Sequence, residues 1–234
     1  MAKSFRLALL PMAVLACGAV GASADATATA AASPSVAATS IVASAAPNRP
    51  VIKVSGFRSA HFGMTETQVR SAIKQDFSMT GEAINAGQNP AERTKILSLA
   101  VPDLLPNGGK AEVAYVFGYQ SHMLMQVGIT WSKAVDSATT LDTLVSNAAA
   151  LQALFLADGY KPGSVIPNAA LANGGATLLF RGQDADDHVT NLLLEGTTVA
   201  AANGAKQFTP AALNLIYVEN ALHPDVMKLK QGSF

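Results

Sequence analysis

The feature that most constrains this chain is a tract at residues 25–50 in which 20 of 26 residues are Ala, Ser, Thr or Pro and none is Leu or aromatic. Such a segment cannot bury enough apolar surface to offset the entropy of ordering it. Pro34, Pro47 and Pro50, with the Ser and Thr between them, oppose the helix that its alanines would favour. The tract is expected to be a disordered linker. Folding then falls to residues 51–234, a length that buries roughly 70% of its unfolded surface and sustains its own core.

What precedes the linker reads as an export signal over residues 1–24. Lys3 and Arg6 supply a basic start, residues 7–16 are an uncharged apolar run, and Ala22-Ser23-Ala24 has the small-x-small form of a cleavage site. Cys17, the only cysteine, follows Val14-Leu15-Ala16 and precedes Gly18, which is similar to a bacterial lipobox. Two outcomes therefore stand side by side: cleavage after Ala24, or lipidation at Cys17 with membrane attachment through acyl chains. Either places the protein in the periplasm or on the periplasmic face of the outer membrane. Loss of residues 1–24 leaves 14 basic residues against 16 acidic ones, a net charge of −2. That balance lacks the cationic surplus a nucleic-acid binder needs, and a lone cysteine excludes a disulfide framework.

Within the body, Thr65-Glu66-Thr67-Gln68 forms a capping box, with Met64 and Val69 placed as a hydrophobic staple. Val69, Ala72, Ile73 and Phe77 follow at helical spacing. Residues 95–101, 112–117 and 123–131 are β-forming runs with short connections, an antiparallel meander. A second helix starts near Thr139 or Thr140; Leu141, Leu144, Val145, Ala148, Leu151 and Phe155 keep its period, and Gly159 and Pro162 stop it. Residues 176–181, 189–195 and 213–219 again read as strands, the last also as a helix from Thr209-Pro210. The expected fold is α+β: two pseudo-repeats, residues 51–138 and 139–234, each of one helix and about three antiparallel strands. Val69, Ile73, Phe77, Leu144, Val145 and Phe155 are the expected core contacts of the helices.

The run Phe62-Gly63-Met64-Thr65-Glu66-Thr67-Gln68-Val69 resembles the G-M-T-x-x-Q-V helix start of the SmpA/OmlA (BamE-like) outer-membrane lipoproteins. That resemblance implies a helical segment packed on a three-stranded antiparallel sheet and a role in assembling outer-membrane β-barrels. Tandem copies of a related module resemble the β-lactamase-inhibitor-protein fold.

Residues that carry chemistry are sparse. His61, His122, His188 and His223 are never within four residues of one another, so no paired-ligand spacing exists. Asp184, Asp186, Asp187 and His188 form the one acidic cluster, which lacks the Gly and distal Glu of a calcium loop and reads as a turn. Ser71-Ala72-Ile73-Lys74 matches S-x-x-K without the companion signatures of penicillin-binding proteins. No cofactor-binding glycine pattern is present. Phe57, Arg58, His61 and Phe62 mix aromatic and polar groups ahead of the first helix and are the candidate partner-binding residues; the alternative is that Phe57 and Phe62 enter the core. The expectation is a non-enzymatic envelope protein that binds another protein, in outer-membrane assembly or scaffolding. Its rival is a periplasmic enzyme or small-ligand or metal-binding protein with a pocket between the halves, around His61 and residues 184–188.

Overall fold

The computed structural model describes residues 51–171, 175–200 and 206–228. The signal, Cys17 and the linker lie outside the described residues.

A short ribbon, β1 (Gly56–Phe57) and β2 (Ala60–His61), opens the fold, and α1 (Glu66–Phe77) follows. The helix begins at its capping box: the Thr65 amide donates to Gln68 Oε1 at 2.8 Å, and the Gln68 amide donates to Thr65 Oγ1 at 3.4 Å. Val69, Ala72 and Ile73 are its buried stripe. A 3₁₀ turn at Gly81–Ala83 leads into four strands, β3 (Asn85–Asn89), β4 (Thr94–Val101), β5 (Ala111–Phe117) and β6 (Leu124–Ser132). Next comes α2 (Leu141–Ala157), capped by the Thr140 hydroxyl, which accepts from the Thr143 amide at 3.1 Å. Four more strands close the chain: β7 (Ile166–Ala170), β8 (Ala176–Gln183), β9 (Val189–Ala200) and β10 (Lys206–Val218).

The two expected pseudo-repeats of one helix and about three strands do not form. The described residues are mostly β, and they build one eight-stranded antiparallel sheet of order β3-β4-β5-β6-β10-β9-β8-β7. The last strands of the two runs, β6 and β10, pair from Ala212↔Ser132 to Val218↔Gln126, so the hydrogen-bond ladder is unbroken across the middle. One core cluster holds Val69 and Ile73 of α1, Tyr115 and Trp131 of the sheet, and Leu144 and Phe155 of α2. The buried Asn147 of α2 donates to the Gly108 carbonyl at 2.9 Å, tying the second helix to the β4–β5 connection.

Three further points separate the structure from the sequence reading: two unread strands, a choice between two readings, and one misplaced core residue. Asn85–Asn89 and Ile166–Ala170, which carry no run of β-formers, are the edge strands β3 and β7. Residues 213–218 lie in a strand, the first of their two readings, and the alternative helix start at Thr209-Pro210 is not used. Instead β10 runs through Pro210, and the missing N–H is absorbed by a register shift between Pro210 and Ala212. Val145, placed in the core by its helical spacing, is 49% exposed, because α2 turns only Leu144, Asn147, Ala148, Leu151 and Phe155 inward.

Candidate functional site

Side chains alternate across a strand, and the pairing register assigns each to a face. Leu97, Val113, Tyr115, Ile129, Trp131 and Leu213 share the core cluster with both helices, so both helices lie on that face. The other face carries no helix among the described residues. Across it the register lines up three rows. The first is Ala100, Glu112, Thr130, Asn214, Leu193 and Leu178. The second is Ser98, Ala114, Gly128, Ile216, Asn191 and Arg181. The third is Ile96, Val116, Gln126, Val218, Val189 and Gln183. Buried apolar members of these rows, Ile96, Leu178, Val189 and Val218, stand outside the main core cluster, as an opposite-face position requires.

The middle row is the site's defining feature. Where the flanking rows carry Val116, Gln126, Glu112 and Thr130 on β5 and β6, this row sets the small residues Ala114 and Gly128 side by side, with Ile216 next to Gly128 on β10. A Cβ built on Gly128 would meet nothing within 4 Å. The rim is a mixture of apolar and hydrogen-bonding groups. Thr130 Oγ1 donates to Asn214 Oδ1 at 2.7 Å, and Arg181 donates to Asn191 Oδ1 at 3.1 Å. Asn214 is 1% exposed, and its Nδ2 has no hydrogen-bond partner of ordinary geometry. Burial raises the nearby Glu195 carboxyl above its usual range, and Asn214 draws it part of the way back. An isolated glycine in a β-forming run was the available sequence signal for this place; which face it occupied depended on the register with β5 and β10.

The residues singled out ahead of α1 are spread over several contacts. Phe57 stacks on Tyr217 with ring centroids 6.2 Å apart, and Phe62 meets the His188 ring edge-on at 5.3 Å; both phenyl rings pack partly buried against the core. The Arg58 guanidinium sits over the Phe77 ring at 4.8 Å and the Phe57 ring at 5.6 Å. His61 is exposed, with Nδ1 3.1 Å from Ser55 Oγ, a bond that closes the β1–β2 ribbon. Among the described residues no carboxylate is bonded to that imidazole. Ser71 Oγ donates to the Thr67 carbonyl one turn back at 3.1 Å, so its hydroxyl serves the helix.

Residues 184–188 are indeed the β8–β9 turn, yet Asp184 is fully buried. Its Oδ1 accepts from the amides of Asp186 and His188, and its Oδ2 accepts from the Val54 amide at 2.8 Å and lies 3.1 Å from His188 Nδ1. Asp184, Asp186 and His188 offer ligand atoms within 4.8 Å of one another. A cation there would have to displace hydrogen bonds that hold the entering chain. Two surface grooves are formed elsewhere. One of about 360 Å³ is lined by Thr65, Glu66, Lys95, Phe117, Ser121 and Met123. Its Lys95 ammonium is 2.5 Å from Glu66, which also pairs with Arg70. The Lys95 hydrogen bond, more than Arg70, holds the Glu66 carboxyl below its usual range against the opposing effect of burial. The other, about 290 Å³, runs between residues 52–58 and the end of α2. Neither includes His61, Asp184 or His188.

Compared with models of protein families, with curated proteins and with solved structures, the chain finds no match.

Proposed function

We propose that this chain is an exported, non-enzymatic envelope protein that binds another folded protein through the helix-free face of its sheet, in outer-membrane assembly or scaffolding. The observation that carries the reading is the pairing of two small residues, Ala114 and Gly128, framed by Val116, Gln126, Glu112 and Thr130 near the centre of the face, with open space above Gly128. Interfaces concentrate binding energy in a central pocket that takes one buried anchor, surrounded by a rim that excludes water. Here the side chains at the centre are small, and those around them combine apolar and hydrogen-bonding groups. The export signal at residues 1–24 and the spacer at residues 25–50 suit a domain that works at a distance from its point of attachment. Groups that catalysis would recruit already have structural duties: Asp184 anchors a turn, Ser71 bonds its helix, and His61 closes a ribbon.

The test is Gly128→Trp. A Cβ at this glycine meets nothing within 4 Å, so the variant is expected to fold, which its melting temperature checks. Pull-down from detergent-solubilised envelopes is expected to recover a stoichiometric protein with the parent chain and to lose it with the variant. Equal recovery by a folded Gly128→Trp removes this face from consideration. Recovery of no protein by either, with a dose-dependent rise in melting temperature from a metal or small molecule, overturns the reading in favour of ligand binding.

A further inference from the structure

The two edges of the large sheet are built differently. Among the described residues neither β3 nor β7 has a strand on its outer side. An open edge presents unpaired N–H and C=O groups, and sheets blunt it with charge, proline or an irregularity. β7 is blunted in this way. Pro167 has no N–H to offer, and the left-handed Asn168 (φ 51°) drops out of the register between Pro167↔Phe180 and Ala169↔Leu178. The Asn168 side chain is also bonded to Gln152 of α2 at 2.8 Å. β3 carries none of these devices. Its residues Asn85, Ala86, Gly87, Gln88 and Asn89 include no charge and no proline, and they pair with β4 without interruption from Asn85↔Ser98 to Asn89↔Thr94.

β3 has no β-branched or aromatic residue, so its own propensity does not keep it extended. It is held from both ends instead. Ile84, just before it, is buried in the core, and Asn89 Oδ1 accepts the amides of Ala91 and Glu92 at 3.0 and 3.3 Å, which fixes the β3–β4 turn. Alternate residues of an antiparallel strand turn their main-chain groups to opposite sides. About half of the five residues therefore aim N–H and C=O away from β4, and among the described residues no backbone bond reaches that side. At the middle, Gly87 stands opposite Ile96, and a Cβ built on it would meet nothing within 4 Å.

We propose that β3 is a docking edge for an extended segment of another protein, which adds antiparallel to β3 and lays a large apolar or aromatic side chain over Gly87. Main-chain bonds give such an added strand its affinity, and alternate side chains give it specificity. The edge is already straight and in register, so binding spends little on ordering it. An aromatic ring from a neighbouring strand is the natural cover for an edge glycine. A second copy of the chain fits less well. Two β3 strands paired about an axis through their middle set Gly87 on Gly87 and leave both gaps open. This edge is separate from the Ala114–Gly128 pair, which lies on β5 and β6 with β4 in between, and it does not depend on the function proposed for that face.

Amide hydrogen exchange on the full chain tests this, with a capped peptide, Thr-Val-Thr-Phe-Thr-Val-Thr, as the probe. In the free chain the outward amides of Asn85–Asn89 are expected to exchange fast, and saturating peptide is expected to protect them while leaving β7 unchanged. The same peptide with Ala for its central Phe is expected to bind about threefold or more weakly, the size of a cross-strand aromatic contact. Gly87→Val, with folding checked by its melting temperature, is expected to lose that preference because its own side chain fills the gap. Should Gly87→Val fail to fold, the two peptides on the parent chain decide. No protection of β3 at ~1 mM peptide, a concentration that reveals even millimolar affinity, overturns the proposal. Equal affinity of the parent for the two peptides overturns it as well. Protection of every β3 amide in the free chain, rising with protein concentration, assigns the edge to a second copy and overturns it too.

Discussion

Asp184 Oδ2 accepts the backbone N–H of Val54 at 2.8 Å, across 130 residues of sequence, and this bond docks the entering chain onto the β8–β9 turn. The same carboxylate takes the amides of Asp186 and His188. Removing it leaves three backbone donors without their acceptor, around a carboxylate that is itself fully buried. Asp184→Ala is expected to lower unfolding stability by about 3–5 kcal/mol, read as a reduced urea midpoint. A loss below about 1 kcal/mol would mean that water or a neighbouring group replaces the carboxylate.

A second carboxylate fastens the other end of the chain. Asp225 accepts the amides of Ser121 and Gln120, the Tyr119 amide donates to its carbonyl at 2.8 Å, and the Met227 amide donates to the Glu92 carbonyl at 2.9 Å. Burial alone would raise the Asp225 carboxyl, but the Ser121 and Gln120 donors outweigh it and hold the group below its usual range. A group depressed in this way stabilises the fold above its unfolded value, and that contribution is lost as pH falls through the lower, folded value. Amide protection at Tyr119 and Met227 is expected to decrease on acidification below about pH 4, the ordinary aspartate range. In Asp225→Asn it should start low and change little. Gly118→Ala should produce the same loss at neutral pH, because a Cβ there runs into the Asp225 carboxylate and the Ser121 hydroxyl.

These two anchors mark the limit of what sequence reasoning reached. Local signals carried well. The Thr65–Gln68 capping box gave the start of α1, Thr140 that of α2, and the β-forming runs located the cores of β4, β5, β6, β8 and β9. Each of those signals is contained within about ten residues. The number and membership of sheets was not, because one sheet results from the pairing of Leu213 with Trp131 and its neighbours, a contact of long sequence separation. The edge strands were invisible for another reason. Asn85–Asn89 is almost wholly exposed and carries no apolar alternation. Pro167 and the left-handed Asn168 disguise β7. Val145 satisfied the helical period yet faces outward, since an almost uniformly apolar helix does not encode which side meets the sheet. Of the candidate site, Gly128 was legible as an anomaly in a strand, while the pairing of small residues depends on Ala114 lying beside it.

Tyr115 offers a prediction of opposite sign. Its side chain is fully buried in the core and its hydroxyl has no hydrogen-bond partner. Burial, with a smaller contribution from Asp76, pushes its phenol well above the usual range. A buried hydroxyl without a partner opposes folding, so Tyr115→Phe is expected to raise stability by about 1 kcal/mol, the typical cost of an unsatisfied group. The urea midpoint should rise while the slope stays constant. Alkaline titration supplies an independent readout. With its folded value raised, Tyr115 contributes full stability below its unfolded value near 10.0, and loses it as pH rises towards the folded value. Above pH 10 the parent's stability should therefore fall more steeply than that of Tyr115→Phe, by a difference of one proton. A midpoint lowered by the substitution would show that the Tyr115 hydroxyl is hydrogen-bonded in solution, and identical slopes would show that burial does not raise its phenol.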